Sequence, residues 1–142
     1  MMKELHKDIV NNGLKVTPQR LAILKILREN RNHPTAEKVH NDLIKEYPAI
    51  SLTTVYNTLS SFVEAGMLKE LDVDPHKKRF DSFLEPHDHF HCKTCDNVYD
   101  IYRNSLILKD NLQHGRTMEG HHIDKVSINL KGICKYCEAD SS

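Results

Sequence analysis

Apolar positions recur at helical spacing up to about Gly66, and after it they fall into short runs and alternations. Lys3 to about Asn11 can form a short helix, which Gly13 breaks. Thr17-Pro18-Gln19-Arg20 then supplies a helix start: Thr17 caps, and Pro18 fits the first helical position, where its missing N–H has no partner to lose. Leu21, Ile23, Leu24, Ile26 and Leu27 make this a heavily buried helix ending near Asn30. After the turn Asn32-His33-Pro34, another helix is expected from Thr35 through Val39, Leu43 and Ile44 to Tyr47, where Pro48 stops it. The next helix begins at Ser51 and ends at Gly66, a suitable residue for a left-handed helix end.

The faces of that last helix separate cleanly. At about 100° per residue, Leu52, Val55, Leu59, Phe62 and Val63 lie on one side; Thr53, Thr54, Asn57, Ser60, Ser61 and Glu64 lie on the other, with Tyr56 at the boundary. The polar face is nearly uncharged and built from short hydrogen-bonding side chains, which suits entry into a DNA groove. An ordinary solvated face is the competing reading, and the helix alone does not separate the two. Met67–Leu71 and Arg79–Phe83 are expected strands around the polar turn 74–78, a hairpin with basic residues at its tip. Helices followed by such a hairpin predict a winged helix, whose last helix enters the major groove while the wing touches phosphates.

In the second part, His87–Cys92 and Val98–Tyr102 are expected strands, Asn104–His114 a helix, and Lys125–Leu130 a strand with Val126, Ile128 and Leu130 inward. The whole is α+β, with domains expected at 1–82 and 83–142. A unit of roughly 60 residues buries little core alone, so a metal and dimerisation are the expected sources of its stability.

Composition changes this picture little. The 142 residues are 39% hydrophobic and 28% charged, ordinary for a globular protein, and the formal net charge is zero. Residues 1–81 carry 13 Lys or Arg against 11 Asp or Glu, and the remainder 7 against 9, so any DNA-binding patch must be made by folding. No stretch is apolar enough to span a membrane. The opening Met1-Met2-Lys3-Glu4 lacks a continuous apolar run, which predicts no export, a cytoplasmic location and reduced thiols.

The candidate chemistry is concentrated in the second part. Cys92-Lys93-Thr94-Cys95 and Cys134-Lys135-Tyr136-Cys137 space two pairs of thiolates so that four sulfurs can close a tetrahedral shell around structural Zn²⁺. Disulfides and redox-active thiols are the competing readings; without export, zinc is preferred. His33, Asp81, His87, His89, His91 and Asp100 form a separate group of nitrogen and oxygen candidates. His87 and His89, two apart on a strand, project from one face and can reach one ion. His91 shares that parity but abuts Cys92 and ranks below them. Such ligands suit Fe²⁺, Mn²⁺ or Zn²⁺, and an ion held by both parts of the chain would fix the angle between them. Spacing alone does not assemble this group into one site.

Several segments together are similar to the ferric uptake regulator family of metal-dependent bacterial transcriptional repressors, and within it to the peroxide-stress branch. They are Gly13-Leu14-Lys15-Val16-Thr17-Pro18-Gln19-Arg20, His33-Pro34-Thr35, the run from Ser51 to Leu59, Arg79-Phe80-Asp81, His87-Asp88-His89 with Cys92 and Cys95, and Gly132-Ile133-Cys134. The resemblance covers nearly the whole chain. It implies a homodimer with an N-terminal winged-helix DNA-binding domain and a C-terminal α/β dimerisation domain containing the four-cysteine zinc. It further implies double-stranded operator DNA as partner and a regulatory site of His33, Asp81, His87, His89 and Asp100 that takes Fe or Mn, with Zn as a substitute. Aspartate at position 100, where iron-uptake regulators typically have glutamate, points to peroxide sensing, with His33 and His87 converted to 2-oxo-histidine and DNA released. Lys15 and Tyr56 match positions that approach DNA, and Thr53, Thr54, Asn57 and Ser60 accompany them on the polar helix face. A further site of some family members is expected to be absent, since its positions read Pro86, Ile107 and Val126 beside Asp88. His121-His122 is expected as a polar loop, with metal ligation the minor alternative, and His114 as a favourable charge at a helix C-terminus.

The leading expectation is a repressor that loses DNA when its Fe²⁺ form meets hydrogen peroxide. The alternative is an iron- or zinc-availability regulator. A metalloenzyme is disfavoured because no nucleophile constellation accompanies the iron candidates, and an interaction protein stapled by zinc is disfavoured by the polar helix face.

Overall fold

Helix starts in the first unit follow the capping residues. In a computed structural model describing residues 2–74, 76–85, 87–102 and 117–140, the helices are α1 (Met2–Asn11), α2 (Pro18–Glu29), α3 (Ala36–Leu43) and α4 (Leu52–Glu64). The hydroxyls of Thr17, Thr35 and Ser51 accept the N–H groups of Arg20, Lys38 and Thr54 at 3.1, 3.2 and 3.1 Å, and so open α2, α3 and α4. Gly66, at φ +81°, closes α4. Its N–H reaches Val63 O at 3.0 Å, and the Met67 N–H reaches Phe62 O at 2.9 Å, the paired bonds of a left-handed helix end.

One correction falls on α3, which was expected to reach Tyr47 but ends at Leu43. The residue before a proline is pushed out of helical conformation, and here the chain turns, with the Tyr47 N–H on Leu43 O at 2.8 Å. That turn lets Tyr47 pack partly buried against the core. The core itself joins Leu5 and Ile9 of α1 to Ile23, Leu24 and Leu27 of α2, Val39 and Leu43 of α3, and Val55, Leu59 and Phe62 of α4.

Strands β1 (Lys69–Leu71) and β2 (Arg79–Asp81) pair antiparallel, with Lys69 opposite Asp81 and Leu71 opposite Arg79. Helices plus this hairpin make the winged helix. Both strands are shorter than expected: Met67 and Leu68 are spent in the helical core, and the Asp81 carboxylate accepts the Phe83 N–H at 2.9 Å, turning the chain away after β2.

Contacts divide the chain into two units, Met1–Leu84 and Glu85–Ser142. The second is built on a three-stranded sheet of order β4-β3-β7, with β3 (Asp88–Cys92) antiparallel to β4 (Val98–Ile101) and parallel to β7 (Asn129–Gly132). The expected strand Lys125–Leu130 is corrected to begin at Asn129, and Leu130, expected inward, is exposed. Ahead of β7 the chain is held at Ile128, whose N–H is taken by the Asp88 carboxylate at 3.0 Å and whose carbonyl accepts the His89 N–H at 3.2 Å. Two elements were not expected: the small hairpin β5 (Thr117–Met118) to β6 (His121–His122), and helix α5 (Lys135–Asp140). The hairpin turns on Glu119 and Gly120, both at positive φ. The expected helix Asn104–His114, with His114 and Ile107, lies outside the described residues, as does Pro86. Among the described residues no helix is long and apolar enough to cross a membrane.

Candidate metal centres and nucleic-acid face

Parallel pairing of β3 with β7 sets Cys92 opposite Gly132, so Cys134, two residues on, arrives beside Cys92. Cys95 comes from the tight turn between β3 and β4, which Asp96 closes at φ +67°, and Cys137 from the first turn of α5. No disulfide joins them, and the four sulfurs lie within 4.8 Å of one another. Four thiolates at about 2.3 Å from a tetrahedral Zn²⁺ are about 3.8 Å apart. Cys95 Sγ and Cys134 Sγ are 3.8 Å apart. The set fits a closed, four-thiolate metal site.

Hydrogen bonds prepare these sulfurs for the thiolate form. Cys92 Sγ accepts the backbone N–H of Cys95 at 3.5 Å and of Cys134 at 3.3 Å. The Cys95 N–H is the main cause that brings Cys92 down to about 6, with the Cys134 N–H adding to it. The Tyr99 hydroxyl donates to Cys134 Sγ at 3.5 Å, lowering the Cys134 pKa and pushing Tyr99 up to about 12. Cys137 is pushed up to about 12, chiefly by its side-chain hydrogen bond with Cys134, with burial adding to it.

The nitrogen and oxygen candidates form a group within each unit. In the second, the antiparallel register puts His89 opposite Asp100, and His87 lies just ahead of β3. Asp100 Oδ1 is 3.1 Å from His87 Nε2 and 3.7 Å from His89 Nε2, and the two imidazoles meet edge to face at 4.6 Å. Ligands about 2.1 Å from one ion are spaced roughly 3.0 to 3.4 Å apart, so the Asp100–His87 spacing fits and Asp100–His89 is slightly wide. The carbonyl of Glu85 accepts His87 Nδ1–H at 2.6 Å, fixing the tautomer that presents Nε2 as a lone pair. His91 lies 2.7 Å from Asp96 instead. Asp88 is engaged by the Ile128 N–H.

In the first unit His33 and Asp81 are both buried, with His33 Nε2 3.6 Å from Asp81 Oδ2. That is longer than a hydrogen bond and close to the edge of a coordination shell. His33 adopts φ +59° immediately before Pro34, a left-handed conformation that costs a non-glycine residue about 1 kcal/mol or more. The Arg79 guanidinium donates to its carbonyl at 3.2 Å. Sequence reading missed this contact, since nothing in the spacing of positions 33 and 79 announces a side chain bound to a backbone oxygen.

On α4, Thr53, Thr54, Tyr56, Asn57 and Ser60 are exposed, as is Lys15, while Val55, Leu59 and Phe62 are buried as the pattern required. Thr58 faces inward and returns its hydroxyl to Thr54 O. Tyr56 is tethered: its hydroxyl donates to the Glu37 carboxylate on α3 at 2.9 Å, which raises its pKa. Beside this face an open cleft of about 570 Å³ runs between the starts of α2 and α4, lined by Gln19, Arg20, Ser51 and Thr54 among others.

The ferric uptake regulator family model matches residues 11–131. The "Peroxide-responsive repressor PerR" of Staphylococcus saprophyticus is 35% identical over 129 residues, covering 90% of this chain and 85% of that protein. Among solved structures, the Francisella tularensis ferric uptake regulator with iron superposes with a TM-score of 0.75 at 28% identity, over 89% of this chain and 96% of that one. The Campylobacter jejuni peroxide stress regulator does so with a TM-score of 0.69 at 31% identity, over 96% of this chain and 98% of that one. These are names of regulators, not of enzymes. With a winged helix, a four-cysteine cluster and two groups of histidine and aspartate candidates in place, the chain belongs to the ferric uptake regulator family.

Proposed function

We propose that the protein is a homodimeric repressor of operator DNA that senses hydrogen peroxide through iron-dependent oxidation of its own histidine ligands. The observation that carries this reading is the pairing of His87 and His89 with an aspartate, Asp100, whose short carboxylate reaches both imidazoles. In this reading His33 and Asp81 join those three around one Fe²⁺ or Mn²⁺, and Cys92, Cys95, Cys134 and Cys137 hold a structural Zn²⁺. The donor types support it, since imidazole and carboxylate suit Fe²⁺ and Mn²⁺ while four thiolates suit zinc.

Bound Fe²⁺ would supply the one-electron chemistry with peroxide that Mn²⁺ and Zn²⁺ do not. The chain's own contribution is to hold the ligands. Glu85 O fixes the His87 tautomer, and the β3–β4 register holds His89 against Asp100. Hydrogen peroxide would add one oxygen at an imidazole carbon of His33 or His87, leaving water, and the resulting 2-oxo-histidine would be a poorer ligand, so the site would hold metal, and the DNA-competent arrangement, less well. Thr53, Thr54, Tyr56, Asn57 and Ser60 on α4 are assigned to the major groove, and Lys15 to the neighbouring DNA. The starts of α2 and α4 with Arg20 suit phosphate contact.

A regulator of metal uptake without peroxide sensing is the second reading, favoured by the likeness to the Francisella tularensis protein with iron. Replacing Asp100 by Glu distinguishes them. The Fe²⁺ form of Asp100→Glu should keep metal-dependent DNA binding in an anisotropy titration but lose sensitivity to peroxide. A wild-type protein whose DNA binding ignores peroxide would point to the second reading.

A further inference from the structure

Arg79 is a buried arginine outside the proposed ligand set, and its surroundings are specific. It opens strand β2, is 9% exposed, and sits two residues before the proposed ligand Asp81. Residues two apart on a strand project to the same face, so β2 aims Arg79 and Asp81 to one side. The segment they face is the loop carrying His33. Arg79 and Thr35 form an isolated antiparallel bridge, the Phe80 N–H donates to Pro34 O at 3.0 Å, and Arg79 Nη1 donates to His33 O at 3.2 Å. On its other side the guanidinium lies 3.7 Å from the Asp74 carboxylate, itself buried, in the wing turn.

These contacts act on a residue that resists its conformation. His33 holds φ +59° ahead of a proline, where an L-residue is disfavoured on both counts. Its carbonyl and its imidazole project from the same backbone, so a donor fixed on the carbonyl holds the Cα–Cβ direction from which the imidazole reaches Asp81. A guanidinium suits this task, since its planar fork can bind the carbonyl through one nitrogen and a carboxylate through another. We propose that Arg79 is a positioning residue for the regulatory metal: it clamps the left-handed His33 so that Nε2 stays poised beside Asp81, and through Asp74 it ties that ligand to the wing. The clamp makes the wing turn and the metal ligand one mechanical piece. The proposal rests on His33 and Asp81 being metal ligands.

Mn²⁺ titration of the zinc-loaded full-length protein, followed by the free Mn²⁺ spin-resonance signal, tests it. Arg79→Met, which keeps the apolar stem and removes the fork, should weaken Mn²⁺ binding about 10- to 100-fold, as loss of a ligand's supporting hydrogen bond does, while zinc content stays at one per chain. Arg79→Lys keeps the charge but not the fork and should fall between Met and wild type. Ser82→Ala serves as the structural control, because Ser82 ties the same strand end to Leu27 O at 3.1 Å without touching His33. It should lower the melting temperature and leave Mn²⁺ affinity within about twofold of wild type. Wild-type affinity in both Arg79 variants overturns the clamp, and so does an equal loss in Ser82→Ala. Should Arg79→Met not fold, Arg79→Lys alone decides: unchanged affinity overturns the proposal. His33→Ala run alongside keeps the two readings apart, since undiminished Mn²⁺ binding there would remove the metal-site reading itself.

Discussion

Cys92, Cys95, Cys134 and Cys137 all belong to one unit, at the end of β3, in the turn after it, just past β7 and in α5, whereas the five nitrogen and oxygen candidates are divided, two in the first unit and three in the second. The thiolate cluster therefore needs only its own unit to be complete, and two backbone N–H groups already prepare Cys92 Sγ for a cation. Neither group of histidines and aspartates brings more than three donors. A complete set binds tightly and permanently; a set that must be assembled binds only in one arrangement, which is what a regulatory site requires. Thiolates draw the eye in the sequence, yet under the proposed function the response comes from the divided set.

The largest effect that sharpens this contrast should come from the thiolates. Structural zinc contributes apparent binding free energy of about 10 kcal/mol or more to folding in small domains. Cys95→Ser should therefore lose its zinc and the cooperative melting of the second unit together, as read by elemental analysis and circular dichroism. Normal zinc content and an unchanged melt would leave the cluster without its structural role. Next in size, His89→Ala should abolish Mn²⁺ binding at micromolar concentrations while zinc remains at one per chain. Loss of both metals would mean that the two sets are not independent.

Smaller effects test the surfaces around them. Asn57→Ala on the exposed face of α4 should weaken operator binding by about 1–3 kcal/mol, with both metals retained. An unchanged titration would return that face to ordinary solvation. Tyr99→Phe removes one hydroxyl from Cys134 Sγ and should weaken zinc by about 0.5–1.5 kcal/mol, measured by competition with a chelator. It should leave Mn²⁺ affinity untouched.

The first unit was largely legible in the sequence because its signals are local. Thr17, Thr35 and Ser51 each cap within three residues, and Gly66 supplies a conformation other residues resist. The end of α3 was misjudged because Ile44 continues the apolar pattern while Pro48 acts from four residues away. In the second unit the offset of β7 depends on Asp88 binding the Ile128 N–H, a contact across forty residues that periodicity does not encode. Helix α5 is six residues long, too short for a period to register. The cysteine pairs announced themselves by spacing. The proposed regulatory ligands did not: His33 and Asp81 look like any buried polar pair, and only the resemblance to a family grouped them with His87, His89 and Asp100. The contact of Arg79 with the His33 carbonyl escaped both routes, since spacing does not announce a side chain bound to a backbone oxygen.

Peptide mass spectrometry of the Fe²⁺-loaded protein after brief exposure to hydrogen peroxide, with the Mn²⁺-loaded protein in parallel, separates histidine oxidation from thiol oxidation. One added oxygen is expected on peptides containing His33 or His87 in the iron form only, with DNA released and zinc retained. Unmodified histidine peptides, with oxidised cysteines and lost zinc accompanying DNA release, would contradict it and move the sensing chemistry back to the thiolates.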